Sequence, residues 1–406
     1  MKRDALVGAV RERLTRYPPP FESHYGMVPP PPETRSVGLG TFAKVQHEAV
    51  AAMARIEVMA QEYHDPYVLS RVLSRKEAVS SSSIEGTNST LDELLSVEEQ
   101  DEDAQSAALQ VRGYARVLDT VLARASELGP DVFTIDLFRE LHASVMKDDD
   151  HYDDEPGQFR TRVVWIGGGR GIENSTYNPA PPDDIEPCLH ELVDYLRDNG
   201  EHVLTQPLMM RMAIAHAHFE AVHPFRDGNG RVGRLLLPLM MAAEKLTPIY
   251  MSGYIDANRQ AYYDGLKQAQ QRLEFAPLAG YFSQAVVASE KELMTTRNAL
   301  ERLHTMWLDR RRFRANSAAA LMLDVLPHYP VTTIGRMASI LGVSFNAAKA
   351  GIDQLIEANI LSERTGYKRN RIFSAPEVLD ILNRPFGADW DYEAPDDYQE
   401  ERSFRP

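Results

Sequence analysis

Cysteine and long hydrophobic runs are scarce in this chain of 406 residues. The single cysteine, Cys188, can form neither an internal disulfide nor a CxxC metal site, which favours a reducing compartment. The longest apolar run, 235–243, is interrupted by Pro238 and is about half as long as a membrane helix. These absences predict a cytoplasmic protein with no membrane partner.

Positive charge is in deficit, with 44 lysine and arginine residues against 59 aspartate and glutamate residues and a formal charge of −15. Such a balance argues against a surface built as a whole to attract phosphate backbones, so any nucleic-acid binding has to be local. The hydrophobic share of 43% is close to the average for globular proteins, so the chain can bury a core. Its length predicts two or three domains.

Apolar residues recur at helical spacing through most of the chain, which predicts a mostly α-helical protein. Two proline runs within 1–36 predict an extended N-terminal arm. Thr90 with Glu93 predicts a capping box that opens a helix. The strand formers at 163–166, followed by a glycine cluster, predict a small β-hairpin or flap.

Composition and periodicity divide the chain into five segments. These are an N-terminal arm with helices (1–126), a helical core that carries the chemistry (127–290), a helical linker (291–315), a helix-turn-helix followed by a β-wing (316–380) and an acidic tail (381–406).

The segment 316–380 has the spacing of a winged helix-turn-helix, with Gly342 at the turn and Lys368, Arg369 and Arg371 in the wing. Winged modules bind DNA, but they also serve as docking or dimerisation surfaces. Between residues 316 and 375 there are six basic and four acidic residues, a balance of +2. This is a thin footprint for phosphate binding, and both interpretations stay open.

Two residues in the stretch HPFRDGNGRVGR, which spans 223–234, suit proton transfer and metal binding. His223 has an imidazole that can accept a proton near neutral pH, which makes it the candidate general base. Asp227 offers the hard oxygen that Mg²⁺ prefers, so it is the candidate metal ligand.

The rest of this stretch suits phosphate binding. Gly228 and Gly230 bracket Asn229 and let backbone N–H groups approach an anion at the start of a helix, where the helix dipole is positive. Arg231 and Arg234 lie one helical turn apart and can both reach phosphate oxygens. The stretch therefore predicts a phosphate cradle.

The stretch 223–234 resembles the signature of the Fic family, H-x-F-x-[DE]-G-N-G-R-x-x-R, at every constrained position. Fic proteins mostly transfer AMP from ATP to a hydroxyl side chain of a target protein. The resemblance implies a Fic-type helical core with His223 as the base and Asp227 as the ligand of Mg²⁺. It implies ATP contacts from Gly228, Asn229, Gly230, Arg231, Val232, Gly233 and Arg234.

Further stretches extend the resemblance. The segment 163–169 looks like the flap that holds the target chain, and Ile166, Gly167, Gly168 and Gly169 are assigned to the ATP site with it. Tyr262, Tyr263 and Gln270 look like the side of the nucleotide pocket that meets adenine, although the tyrosines could equally be plain core aromatics.

Ser81, Glu85 and Gly86 resemble the inhibitory motif of the family, [ST]-x-x-x-E-[GN], placed before the core. The resemblance implies that Glu85 pairs with Arg234 and thereby prevents this arginine from holding the γ-phosphate of ATP. Taken alone, the same segment reads as a helix end with a C-cap glycine.

The expected function is that of an autoinhibited protein adenylyltransferase whose partners are ATP, a target protein or the chain itself, and a second copy in a homodimer. One alternative is a DNA-binding regulator in which the core is a ligand sensor. Another is removal of AMP, or another phosphate-linked transfer, at the same site. A metal hydrolase built on His216, His218, His223 and Glu220 is disfavoured, because positions 216 and 218 point to different faces of a helix.

Overall fold

The computed structural model of the chain describes residues 3–61, 71–99, 106–169, 171–197, 205–366 and 370–390. The chain divides into two compact units, Met1–Glu290 and Lys291–Pro406. The first unit thus contains two of the five segments predicted from the sequence, 1–126 and 127–290. None of the helices in the described ranges is both long and apolar enough to cross a membrane.

The mostly helical fold predicted from periodicity is confirmed. The elements that begin in the first unit are α1 (Gly8–Arg11), β1 (Leu14–Arg16), β2 (Tyr25–Met27), α2 (Ala43–Gln61), α3 (Arg71–Ile84), α4 (Leu91–Glu99), α5 (Ser106–Leu128), α6 (Ile135–Met146), α7 (Ile185–Arg197), α8 (Leu208–Val222), α9 (Asn229–Ala243), α10 (Ser252–Ala257), α11 (Arg259–Arg272) and α12 (Ala276–Arg310).

Helix α8 forms the centre of this unit, because every residue in it is buried and its apolar side chains surround the whole helix. It packs against α7, α9 and α11. Helix α9 is buried along its length except at Gly230, and it also contacts α5 and α6. The loop that joins α8 to α9 carries the HPFRDGNG sequence, so the core itself positions this loop.

Helix α3 is held in place by charged and polar anchors. Arg75 is buried and forms ion pairs with Glu98 of α4 and Asp119 of α5. The predicted capping box at the start of α4 is confirmed: Thr90 Oγ1 accepts from the Glu93 N–H at 3.1 Å, and the Glu93 carboxylate accepts from the Thr90 N–H at 2.8 Å. These contacts connect α3 and α4 to the core helices.

The N-terminal arm contains an antiparallel pair of short strands that its proline content did not predict. Strands β1 and β2 pair with Leu14 opposite Met27. The arm is bonded to the core beyond the flap, where the Met27 N–H donates to Asn178 O at 2.9 Å and the Tyr17 hydroxyl donates to Pro179 O at 2.6 Å. Strands this short leave little periodic signal in a sequence.

The small hairpin or flap predicted from 163–166 and the glycine cluster contains one isolated antiparallel bridge, between Ile166 and Tyr177. Three successive glycines at 167–169 have φ values of 70°, 76° and 67°, in the left-handed region that glycine adopts without strain. They lie in the loop between the two bridge partners. The Thr176 hydroxyl also donates to Ile166 O at 2.8 Å. The flap is therefore a tight loop with one bridge at its base.

The second unit alternates helices and short strands. Its elements after α12 are α13 (Ala318–Val325), β3 (Val331–Thr333), α14 (Ile334–Leu341), α15 (Phe345–Glu357), β4 (Ser362–Glu363), β5 (Ile372–Ser374) and α16 (Pro376–Asn383). The strands form an antiparallel sheet in the order β3-β5-β4.

The predicted turn of the helix-turn-helix is present, since Gly342 ends α14 with a φ of 63° and the Ser344 side chain caps α15. Lys368 and Arg369, assigned to the wing, lie outside the described residues, as does the tail from 391 onward. The winged helix itself stays a prediction.

The buried ion pairs of Arg75 yield a stability prediction. The Arg75 side chain is 5% exposed, whereas Arg55, which pairs with Glu290, is 58% exposed. We expect Arg75→Ala to lower the free energy of unfolding by about 3 kcal/mol, because it removes the donor from the buried Glu98 Oε1, whereas Glu98 Oε2 keeps its contact with Arg71. Arg55→Ala should cost no more than about 1 kcal/mol. Urea denaturation followed by circular dichroism measures both, and equal losses would contradict the anchoring role of Arg75.

Candidate active site

The loop between α8 and α9 is shaped by hydrogen bonds within it. His223 adopts a left-handed conformation, with φ 50° and ψ 62°, and its N–H donates to Phe219 O at 2.9 Å, which ends α8. Asn229 clamps the middle of the loop: its Oδ1 accepts from the Phe225 N–H and its Nδ2 donates to Phe225 O, each at 2.8 Å. The Asn229 side chain, predicted to contact ATP, is thus used inside the loop.

His142 supports the same loop from α6, and no sequence motif indicated this role. Its ring stacks on Phe225 with centroids 3.8 Å apart. The Gly157 N–H donates to His142 Nδ1 at 2.8 Å, so the ring proton is on Nε2, which donates to Asp227 O at 3.2 Å. Burial lowers the pKa of His142 to about 4, so the ring is neutral near pH 7. His142 therefore fixes the backbone at Asp227.

Arg160 is a second supporting residue that sequence reasoning missed. It is buried, and its Nε donates to His223 O at 2.8 Å. Its Nη2 donates to Ala180 O at 2.6 Å and Val222 O at 3.2 Å, and its Nη1 donates to Arg162 O at 3.0 Å. One guanidinium thus satisfies terminal carbonyls of α8 and joins both ends of the flap to His223.

A cavity of about 490 Å³ brings eight of the nineteen predicted site residues together. His223, Gly230 and Arg234 line it from the α8–α9 region, and Ile166, Thr176 and Tyr177 line it from the flap. Helix α11 contributes Tyr262, Tyr263 and Gln270, and Glu85 lies at the end of α3. The volume falls in the range of small-molecule sites.

The other predicted ATP contacts do not line this cavity: Gly167, Gly168, Gly169, Gly228, Asn229, Arg231, Val232 and Gly233. Arg231 is 3% exposed, and its Nη2 contacts Met146 Sδ at 3.1 Å. Its Nε and Nη1 have no hydrogen-bond partner among the described residues. These open donors on a buried cation are suited to an anion.

Glu85 reaches Arg234 as the inhibitory motif implied. Arg234 Nη2 donates to Glu85 Oε1 at 2.8 Å, and the Arg234 side chain is 1% exposed. Ser81 completes the contact, because its Oγ accepts from Arg234 Nε at 2.9 Å and its carbonyl accepts from Nη2 at 2.8 Å. Gly86, with a φ of 88°, follows the end of α3. The segment is thus both a helix end and a partner of Arg234.

Gly230 is required by this contact. A Cβ atom at position 230 would lie 2.1 Å from Glu85 Oε1 and 2.9 Å from Arg234 Nη1. Any side chain there would have to displace the glutamate. The absence of a side chain at Gly230 therefore leaves space for Glu85.

The two tyrosines of α11 differ in their surroundings. Tyr262 is 1% exposed, and its hydroxyl lies 2.7 Å from His216 Nε2 in a hydrogen bond. Tyr263 is 45% exposed. Tyr262 is therefore a core aromatic that also lines the cavity, and Tyr263 is the ring available for stacking on a base.

The histidines of α8 do not form the metal cluster considered above. His216 Nδ1 lies 3.0 Å from Gly233 O, and His218 Nε2 lies 3.0 Å from Cys188 O, each within hydrogen-bond distance. Across the described ranges, no group of three or more histidine, cysteine, aspartate or glutamate side chains is arranged to hold a metal.

Asp227 lies at the exposed mouth of the loop and fits a different kind of metal site. Its Oδ1 accepts from the Gly228 N–H at 2.6 Å, which orients the carboxylate. The second oxygen, Oδ2, has no hydrogen-bond partner in the described part of the chain. One oriented carboxylate of this kind suits Mg²⁺ that takes its other ligands from phosphates and water.

Two family models match segments of the first unit. Residues 132–241 match the family model described as Fic/DOC family, and residues 43–123 match the model of the Fic/DOC family N-terminal region. The chain contains a Fic/DOC family domain. The match to the second model includes α3 and the segment 81–86, so the predicted resemblance to the family is confirmed for both regions.

Among curated proteins, this chain is 35% identical over 139 residues to protein adenylyltransferase fic-1 of Caenorhabditis elegans, covering 34% of this chain and 24% of that protein. It is 26% identical over 219 residues to a probable protein adenylyltransferase of Aquifex aeolicus, covering 53% and 59%. The chain thus spans less than two thirds of the length of either relative.

A crystal structure of a Fic family protein from Desulfovibrio desulfuricans has the same fold, with a TM-score of 0.52 and 19% identity. The match covers 85% of this chain and 98% of the other.

The contacts of Arg160 predict a large effect of removing it. Arg160→Ala leaves four backbone carbonyls without their donor, and an unsatisfied buried group costs about 1–3 kcal/mol. We expect the free energy of unfolding to fall by at least about 3 kcal/mol. The neighbouring Arg162 has an exposed side chain, so Arg162→Ala should change it by less than about 0.5 kcal/mol. Urea titrations compare the two, and a similar loss in both variants would exclude the proposed support of the loop.

Proposed function

We propose that this Fic protein is an adenylyltransferase that transfers AMP from ATP to a serine, threonine or tyrosine hydroxyl of a target protein, and that Glu85 inhibits it. The observation that carries the proposal is the cavity in which His223, Gly230 and Arg234 meet the flap. The names of the curated relatives, protein adenylyltransferase, support the same reaction.

The site offers separate places for the base and the phosphates of ATP. Tyr263 is the exposed ring on the α11 side, where adenine would stack. The phosphates would lie against the N-terminus of α9, where the free N–H groups and the buried Arg234 attract negative charge. Positioning and electrostatic stabilisation of this kind carry most of a phosphoryl-type transfer.

His223 would act as the general base. It would accept the proton of the target hydroxyl as the hydroxyl oxygen bonds to the α-phosphorus of ATP, while the bond from this phosphorus to the bridging oxygen breaks and pyrophosphate leaves. Asp227 would hold Mg²⁺, which neutralises charge on the leaving pyrophosphate when bound.

Glu85 would inhibit the transfer in two ways. It occupies the Nη2 donor of Arg234 that a γ-phosphate would need, and its own charge repels the nucleotide.

The flap would align the target as an added strand and bind it through main-chain hydrogen bonds, with little reading of its sequence. Because the flap would read little of the target's sequence, the chain itself is one candidate target.

Removing Glu85 is the test of this proposal. We expect Glu85→Gly to raise the incorporation of label from α-labelled ATP with Mg²⁺ about a hundredfold, the effect of about 2.7 kcal/mol of bias. His223→Ala should abolish labelling, because it removes the group proposed to accept the proton of the target hydroxyl. Mass spectrometry should find one added AMP on the modified chain.

The double variant Glu85→Gly, His223→Ala is the control, and it should remain unlabelled if the gain arises at this site. Equal labelling of the wild type and Glu85→Gly would exclude inhibition by Glu85. Loss of AMP from a previously modified chain, dependent on Glu85, would instead favour removal of AMP at the same site.

We further propose that the C-terminal module docks to protein rather than DNA. Helix α15 carries one basic residue, Lys349, whose Nζ donates to Asp353 at 2.8 Å, and Arg371 pairs with Glu363 at 2.9 Å. Phe345, at the start of α15, is 56% exposed. Neutralised cations beside an exposed aromatic ring suit a protein surface better than a phosphate backbone.

Gel shifts with random and upstream duplexes test this second proposal. We expect no binding that weakens with added salt, since Lys349 and Arg371 are both paired with carboxylates. Salt-sensitive retardation at low salt would overturn it and favour a DNA-binding regulator. Sizing by light scattering of the wild type and Phe345→Ala would show whether the partner is a second copy.

A further inference from the structure

Glu220 is a buried carboxylate in the cavity wall that has no role in the chemistry proposed so far. It lies on α8 three residues before His223, and its Oε2 is 3.6 Å from His223 Nδ1. This separation is slightly longer than a hydrogen bond. The Glu220 residue is 7% exposed.

Two buried polar atoms at this contact lack a hydrogen-bond partner within the described ranges: His223 Nδ1 and Glu220 Oε1. An unsatisfied buried group costs about 1–3 kcal/mol, so a small rotation that brings Oε2 onto Nδ1–H is favourable. Because Nδ1 faces α8, Nε2 is the ring nitrogen left for the cavity that His223 lines.

Gly233 makes room for this carboxylate. A Cβ atom at position 233 would lie 2.4 Å from Glu220 Oε1 and 3.1 Å from His216 Cε1. The Fic signature leaves this position unconstrained, so phosphate binding does not account for the glycine. The close approach of α9 to Glu220 accounts for the glycine at position 233.

The environment keeps Glu220 ionised. Burial acts to raise its pKa, but contacts with His223, His216 and Arg234 outweigh burial, so the pKa lies below the usual value for glutamate. The titratable and charged groups that face the pair are His216 on α8, Arg234 on α9, Tyr262 and Tyr263 on α11, Tyr177 of the flap and Glu85 after α3.

We propose that Glu220 is the positioning residue of His223: it holds the ring proton on Nδ1, leaves Nε2 free to accept the proton of the target hydroxyl, and stabilises the imidazolium that results. The proton moves from the hydroxyl to Nε2, and the Nδ1 proton stays on Nδ1, bonded to Glu220. This is the logic by which a buried carboxylate orients a catalytic histidine in hydrolytic triads. The base role of His223 is taken from the proposed function.

The first test needs neither ATP nor a target protein. In ¹⁵N-labelled wild-type protein, with the ring signals of His223 assigned by their loss in His223→Ala, we expect neutral His223 to carry its proton on Nδ1. Glu220→Gln should shift the population toward the Nε2–H tautomer, because the amide no longer offers Nδ1–H a charged acceptor. Glu220→Asp keeps the charge and should retain part of the effect.

Glu191→Gln is the matched control, because Glu191 on α7 also has a buried carboxylate oxygen without a partner among the described residues. It should leave the His223 signals unchanged. Gly233→Ala is a second probe that keeps Glu220 itself: the added methyl displaces the carboxylate and should move the His223 signals in the same direction as Glu220→Gln. It decides the question if Glu220→Gln does not fold.

An Nε2–H tautomer in the wild type, or His223 signals unmoved by Glu220→Gln or by Gly233→Ala, would overturn the proposal. Transfer is measured separately in the Glu85→Gly background. There Glu220→Gln should lower kcat about tenfold, leave KM for ATP unchanged and shift the pH profile of kcat to lower pH. If no transfer occurs at all while the ring signals respond as expected, the proposed function fails and the contact between Glu220 and His223 stands.

Discussion

The turn between α8 and α9 depends on hydrogen bonds to backbone carbonyls that come from distant parts of the chain. Arg160 donates to the carbonyls of Val222 and His223 at the end of α8 and to that of Ala180 beyond the flap. Since a left-handed histidine is strained when it stands alone, these bonds hold the side chain at the cavity. One guanidinium therefore holds both the backbone of His223 and the ends of the flap.

The arrangement of the site also depends on the close approach of α9 to α8 and to the end of α3. Gly230 admits Glu85 from the end of α3, and Gly233 admits Glu220 from α8, and in both cases a Cβ atom would lie within 2.4 Å of a carboxylate oxygen. Glu85 and Glu220 thus face the same short segment of α9, one from the end of α3 and the other from α8. One contacts the cation that a nucleotide would use, and the other contacts the histidine that would accept a proton.

Local patterns in the sequence predicted several of these structural features. The helices, the capping box at Thr90 and the pairing of Glu85 with Arg234 could be read from periodicity and motif, because each depends on residues close in sequence or on a family resemblance. The hairpin or flap predicted around 163–169 has a single bridge, between Ile166 and Tyr177, and the sequence did not indicate how far the pairing would extend. His142 and Arg160 had no local signal, because their partners lie far away in sequence.

The sequence by itself determined that the chain is acidic and mostly helical, and that it carries a histidine, an aspartate and two arginines spaced for phosphate chemistry in one loop and helix. Only the tertiary structure decided what those groups face. Arg234 and Arg231 are both buried, yet one is paired with Glu85 and the other keeps open donors. The physical reason is that pairing depends on which elements pack against α9, and this packing is a property of the folded core.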